Sequence, residues 1–140
     1  MAHSIRVLIV DDNEPVMALM RILLEREGAK VTGAQTGGNG LMLARSEEFD
    51  LFLLNIDLPD LNGFKVCRQL KQESRLKDVP VVFVSGYLSP EHMGLAFELG
   101  AVDYVAKPFE MSRFATRVLS HVRRKAEALP GGKPSGVGLK

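Results

Sequence analysis

The side chains able to act together chemically are Asp11, Asp12, Asn55, Asp57, Ser85 and Lys107. Each follows a short, largely apolar stretch: Asp11-Asp12 after residues 5–10, Asn55 and Asp57 after 51–54, Ser85 after 81–84, and Lys107 after 102–106. Two carboxylates about 4 Å apart repel by about 4 kcal/mol at an effective dielectric of about 20, so an acid cluster favours a counterion. All-oxygen donors suit Mg²⁺, which keeps several waters and takes few protein ligands. A hydroxyl and an ammonium beside such an ion could cradle a phosphoryl group.

The runs that carry these residues read as buried strands. The clearest is Leu51, Phe52, Leu53 and Leu54, whose unbroken apolar character is the pattern of a strand covered on both faces of a parallel sheet. Residues 30–33 make a short second strand. Between the strands lie helical patterns. Asn13 and Pro15 open one that carries Val16, Met17, Met20, Leu23 and Leu24 until Gly28. Gly37-Gly38-Asn39-Gly40 is expected as a turn before a modest helix from Leu41. Phe64, Cys67 and Leu70 mark a third helix, Ser89-Pro90-Glu91 opens a fourth, and Phe114, Val118, Leu119 and Val122 lie on a last helix over about 110–125. Five strands alternating with five helices predict an α/β fold, a single doubly wound five-stranded parallel sheet. In the order 2-1-3-4-5 the first and third strands are neighbours, and their polar exits share one crevice at the carboxyl edge.

The 140 residues predict one domain over 1–125, with the Pro/Gly-rich 126–140 as a flexible tail or linker. A net charge of +1 gives no global field for nucleic acid or an anionic membrane, so neither is expected as a partner. The single Cys67 sits at core spacing, His3, His92 and His121 show no metal spacing, and a cytoplasmic setting is expected. Arg117, Arg123, Arg124 and Lys125 read as cations at a helix C-terminus.

Val10-Asp11-Asp12-Asn13, Asn55-Ile56-Asp57-Leu58-Pro59 with Asn62-Gly63, Val84-Ser85-Gly86 and Tyr104-Val105-Ala106-Lys107-Pro108-Phe109 occur in that order. Over about residues 5–125 the chain resembles the receiver domain of bacterial two-component response regulators. The resemblance implies a flavodoxin-like receiver fold of order 2-1-3-4-5 and a non-enzymatic role in phosphorelay signal transduction. It implies Mg²⁺ held by Asp12 directly, by Asp11 through water and by the main-chain carbonyl of Asp57. It also implies Ser85 as the switching hydroxyl, Lys107 as the phosphoryl partner and Tyr104 as a rotating aromatic. The implied partners are a sensor histidine kinase or phosphotransfer protein and a downstream protein. A homodimer could form through helix 4, strand 5 and helix 5, a surface expected to include Met93, Tyr104 and Phe114.

One position departs from the resemblance. The family places its phosphate-accepting aspartate four residues before the loop proline, and here that residue is Asn55. Aspartyl-phosphate formation needs an anionic carboxylate nucleophile, and a carboxamide supplies none. Asn55 is therefore expected to be inactive and to weaken Mg²⁺ binding, in a receiver that works without the modification or one whose acceptor was replaced by design. Asp57 is an alternative acceptor. The competing reading is a phosphatase of the haloacid dehalogenase type, which Asn55-Ile56-Asp57 faintly resembles. Those enzymes carry the nucleophile on the first strand and also need a carboxylate at the position of Asn55. Flavin binding is disfavoured, because an acidic loop after the first strand repels a phosphate.

Overall fold

The computed structural model describes residues 4–128. Its strands are β1 (Arg6–Val10), β2 (Lys30–Ala34), β3 (Leu51–Leu54), β4 (Val81–Ser85) and β5 (Asp103–Ala106). They alternate with α1 (Glu14–Glu25), α2 (Gly37–Ser46), α3 (Gly63–Gln72), α4 (Pro90–Glu98) and α5 (Met111–Ala128). All pairings are parallel, and the sheet order is β2-β1-β3-β4-β5, as expected. Because β1 and β3 pair from Val7↔Leu51 to Val10↔Leu54, Asp11 and Asn55 leave the sheet side by side.

Burial on both faces accounts for the continuous apolar runs. Leu8, Val10, Phe52, Leu54 and Phe83 face α2, α3 and α4, whereas Val7, Ile9, Leu51, Leu53, Val82 and Val84 face α1 and α5. Phe52, Phe83 and Phe114 are among the largest fully buried side chains, each contributing roughly 1.5–3 kcal/mol of burial. The helices start where capping chemistry is available: the side chains of Asn13, Asn62 and Ser89 accept the N–H of Val16, Lys65 and His92. Gly28 and Gly100, both at positive φ, turn the chain after α1 and α4.

The glycine run is not a separate turn. Gly37 to Gly40 form the first turn of α2, because Thr36 caps Asn39 N and the carboxylate of Asp60 accepts from Gly37 N and Gly38 N. Small size matters there: a Cβ at Gly40 would lie 2.7 Å from Val10 Cγ2, so glycine lets α2 settle onto β1. The last helix extends to Ala128, past the expected domain boundary at 125, and residues 129–140 of the expected tail lie outside the described residues. Arg117 therefore belongs to the first half of α5 and not to its C-terminal turn. Among the described residues no helix is long and apolar enough to cross a membrane.

Candidate functional site

The polar residues that end the strands meet at the carboxyl edge of the sheet. Asp11, Asn55 and Ser85 are buried although each carries a polar side chain. Lys107 Nζ donates to Asp11 Oδ2 at 2.8 Å, joining the end of β5 to the end of β1 across the intervening strands. Asp11 Oδ1 accepts the N–H of Asn13 at 2.9 Å, so the same carboxylate also orders the entry to α1. An ion pair with one partner only 1% exposed holds because its remaining lone pairs are satisfied.

Asn55 supplies N–H groups, not oxygens, to this cluster. Its Nδ2 donates to the main-chain oxygen of Asp57 at 2.9 Å and approaches Asp11 Oδ1 at 3.5 Å. The amide orientation follows from its surroundings, since the opposite flip would set an oxygen against two acceptors. β3 ends at Leu54, so the chain has left the strand before Asp57. The Asp57 carboxylate points to a different partner, accepting from Tyr87 Oη at 2.7 Å.

Around this cluster an aromatic brace ties the β4–α4 loop down. Tyr87 N donates to Ser85 Oγ at 3.1 Å, and the Tyr87 ring stacks on His92 with centroids 4.8 Å apart. Ser89 Oγ contacts His92 Nδ1, which orients that ring. Tyr104 is buried and packs on Phe83, and its hydroxyl donates to the main-chain oxygen of Tyr87. The hydrogen bond to Asp57, together with that carboxylate's charge, pushes the Tyr87 phenol above its ordinary value.

The sequence-predicted residues divide accordingly. Asp11, Asn55, Lys107 and the main chain of Asp57 converge, Ser85 borders them through Tyr87, and Asp12 is exposed beside them with no hydrogen bond or ion pair among the described residues. Tyr104 and Phe114, expected on the partner surface, are buried, because β5 and α5 direct them into the two cores. Met93 is half-buried, and the exposed apolar side chains of α4 are Leu95 and Phe97. Sequence reasoning missed Tyr87 and Asp60. Tyr87 is a lone aromatic in a loop with no periodicity to flag it. Asp60 reads as turn material, yet the N–H groups of Gly38 and Gly37 hold its carboxyl below the usual value.

As arranged, most of the donors implied for a divalent cation are engaged by other groups. Asp11 is engaged by Lys107, the Asp57 carbonyl already accepts from an amide, and Asn55 presents hydrogens where an ion would need oxygens. Among the described residues no three His, Cys, Asp or Glu side chains are grouped to hold a metal.

A doubly wound sheet of order 2-1-3-4-5 with acidic, hydroxyl and lysine groups at its carboxyl edge defines a receiver-type fold and site. The family profile of the response regulator receiver domain matches residues 7–119, and the chain belongs to that family. It is 35% identical over 138 residues to the transcriptional regulatory protein CseB of Streptomyces coelicolor, covering 99% of this chain and 58% of that protein. It is 35% identical over 128 residues to the alkaline phosphatase synthesis transcriptional regulatory protein PhoP of Bacillus subtilis, covering 91% of this chain and 52% of that protein. The chain thus spans about half the length of these curated relatives. Among solved structures, a CheY-like receiver domain protein from Methanospirillum hungatei superposes with a TM-score of 0.81 at 29% identity, over 87% of this chain and 96% of that one. The non-phosphorylated HemR receiver domain from Leptospira biflexa gives 0.76 at 31% identity, over 85% and 94%. The family is a signalling module of two-component systems, and Mg²⁺ binding is general to it. A phosphatase of the haloacid dehalogenase type finds no support among these relatives.

Proposed function

We propose that this chain is a receiver module that signals by protein–protein contact and does not take a phosphoryl group at position 55. The observation that carries the reading is the Asn55 carboxamide, which stands at the acceptor position and donates to the Asp57 carbonyl. An amide there is a poor nucleophile, and its N–H groups engage the Asp57 carbonyl that would help to hold a cation. In the full family role Asp11, Asp12 and the Asp57 carbonyl would hold Mg²⁺, Ser85 and Lys107 would grip the phosphoryl oxygens, and Tyr104 would report the change. Here Lys107 pairs with Asp11 and Tyr104 lies inward, which favours one fixed state with weakened Mg²⁺ affinity.

The chain would act in the cytoplasm without catalysing a reaction. Its upstream partner would be a sensor histidine kinase or phosphotransfer protein that docks without productive transfer. Its downstream partner would be a protein reading the α4, β5 and α5 face, the face through which two copies could also pair. Relatives named as transcriptional regulators are longer than this chain, so an output unit on the same polypeptide fits the same scheme. Residues 1–125 would form the signalling domain, with the end of α5 leading out of it.

The test is intact-mass measurement after incubation with acetyl phosphate and Mg²⁺. The chain is expected to gain nothing, while Asn55→Asp gains one phosphoryl group and binds Mg²⁺ at least tenfold more tightly. A phosphoryl adduct on the unaltered chain, mapped to Asp57, overturns the reading. So does a folded Asn55→Asp variant that takes up none.

A further inference from the structure

At the opposite end of the sheet from Asn55 lies a second concavity. It has a volume of about 390 Å³, in the range of small-molecule sites, and forms where the amino-terminal ends of β4 and β5 meet the late turns of α3 and α5. The length of β4, at ~3.3 Å per residue, puts it about 13 Å from Ser85. Pro80 and the half-exposed Val102 line it between Lys71, Lys77, Arg124 and Lys125.

The charge around this cavity is unbalanced. His121 Nε2 contacts the Asp103 carboxylate at 2.9 Å, and the Lys71 ammonium is held by the carbonyls of Lys77 and Val79 at 3.0 and 3.1 Å. Lys77, Arg124 and Lys125, by contrast, have no ion-pair partner among the described residues. Asp78 is the one acid lining the cavity among the described residues. Helix C-termini attract cations, which accounts for Lys71 and Lys125 in the last turns of α3 and α5. It does not account for Lys77, which follows α3. Burial lowers the pKa of Lys71, whereas Cys67 and Asp78 work to raise it and Lys125 has the smallest influence, a lowering one.

We propose that this cavity binds a nucleoside phosphate, with the phosphates on Lys77, Arg124 and Lys125 and the base on Pro80 and Val102. Bare inorganic anions would use the cations and leave the apolar floor uncovered. The site is independent of position 55, since no residue that lines it touches Asn55 or Asp11.

Binding is read by amide chemical shifts of the ¹⁵N-labelled full chain titrated with ATP, pyrophosphate, adenosine or hexaglutamate. ATP is expected to give saturable shifts at Lys77, Asp78, Val102, Arg124 and Lys125, with pyrophosphate weaker by about tenfold and adenosine weaker still. The double variant Lys77→Ala with Arg124→Ala, both at exposed positions, is expected to lose affinity for ATP by tenfold or more, whereas Lys30→Ala on β2 leaves it unchanged. Shifts that never saturate, an unchanged affinity in a folded double variant, pyrophosphate binding as tightly as ATP, or hexaglutamate displacing ATP each overturn the proposal.

Discussion

Replacing a carboxylate by a carboxamide at position 55 changes both charge and hydrogen-bond polarity. Asn55 Nδ2 can satisfy the Asp57 carbonyl at 2.9 Å, which an ionised aspartate could not do. Tyr87 holds the same loop from the other side, its hydroxyl bonding to the Asp57 carboxylate at an exposed position. Tyr87→Phe is expected to leave global stability almost unchanged, since a surface hydrogen bond exchanges with water. It should nevertheless speed amide exchange at Asp57 and Leu58 severalfold, as measured by hydrogen–deuterium exchange. Cys67 gives the opposite case: it is fully buried, and burial pushes its thiol up to about 11. At neutral pH the thiolate fraction is then on the order of one part in ten thousand. Iodoacetamide should leave the folded chain unlabelled and modify it only in denaturant, as intact mass would report. The core role of Cys67 is legible from its helical spacing with Phe64 and Leu70. The Tyr87 bridge is not, because a contact between two loops leaves no period in the chain.

Among the elements β1, β3 and β4 are the most readable, since a short apolar run that ends in a polar residue suits a strand covered on both faces. The start of α2 is harder, because three glycines there argue locally for a turn. Tertiary contacts reverse that preference: Asp60, remote in sequence, holds the first N–H groups of α2, and Val10 leaves no room for a side chain at Gly40. Asp60→Ala is expected to lower the urea midpoint through loss of these bonds, whereas Asp60→Asn should recover only part of the loss, because Gly37 N and Gly38 N use different oxygens of Asp60 and an amide keeps one acceptor. Gly63 reads as the turn residue before α3, and the structure adds a second reason for it. A Cβ there would stand 2.0 Å from the main-chain oxygen of Asn55, so glycine lets α3 start against the site loop itself. Gly63→Ala should cost about 3 kcal/mol, at the upper end of overpacking effects, and should shift the amide resonances of Asn55 and Ile56. Gly86→Ala, which meets nothing within 4 Å, is the matching control.

Sheet order decides what the strand ends can do together across the molecule, and periodicity alone does not encode it. Only with β1 between β2 and β3, and β4 and β5 beyond β3, does Lys107 reach Asp11 from the far edge. The same edge strand is locked to α5 by Asp103, whose carboxylate accepts two bonds from Arg117 at 2.8 Å and contacts His121 Nε2 at 2.9 Å. The sequence alone puts Arg117 at a helix end, since nothing in α5 points to a partner at the start of β5. Burial works to raise the Asp103 carboxyl, but Arg117, His121 and the Tyr104 N–H together hold it well below the ordinary 3.8. A carboxyl depressed in the folded state contributes stability that is fully present above its unfolded value and lost as pH falls through the folded one. Urea unfolding should therefore show stability falling below about pH 4. Asp103→Asn should cost about 1–3 kcal/mol at neutral pH, the lower part of that range being favoured by the half-exposed Arg117. The variant should also lose less on acidification than the parent chain, because the group whose protonation drives part of the decline is gone. A variant that keeps the parent's full acid sensitivity would move that decline to other carboxylates, and Asp60, held low by the α2 amides, would be the next to replace.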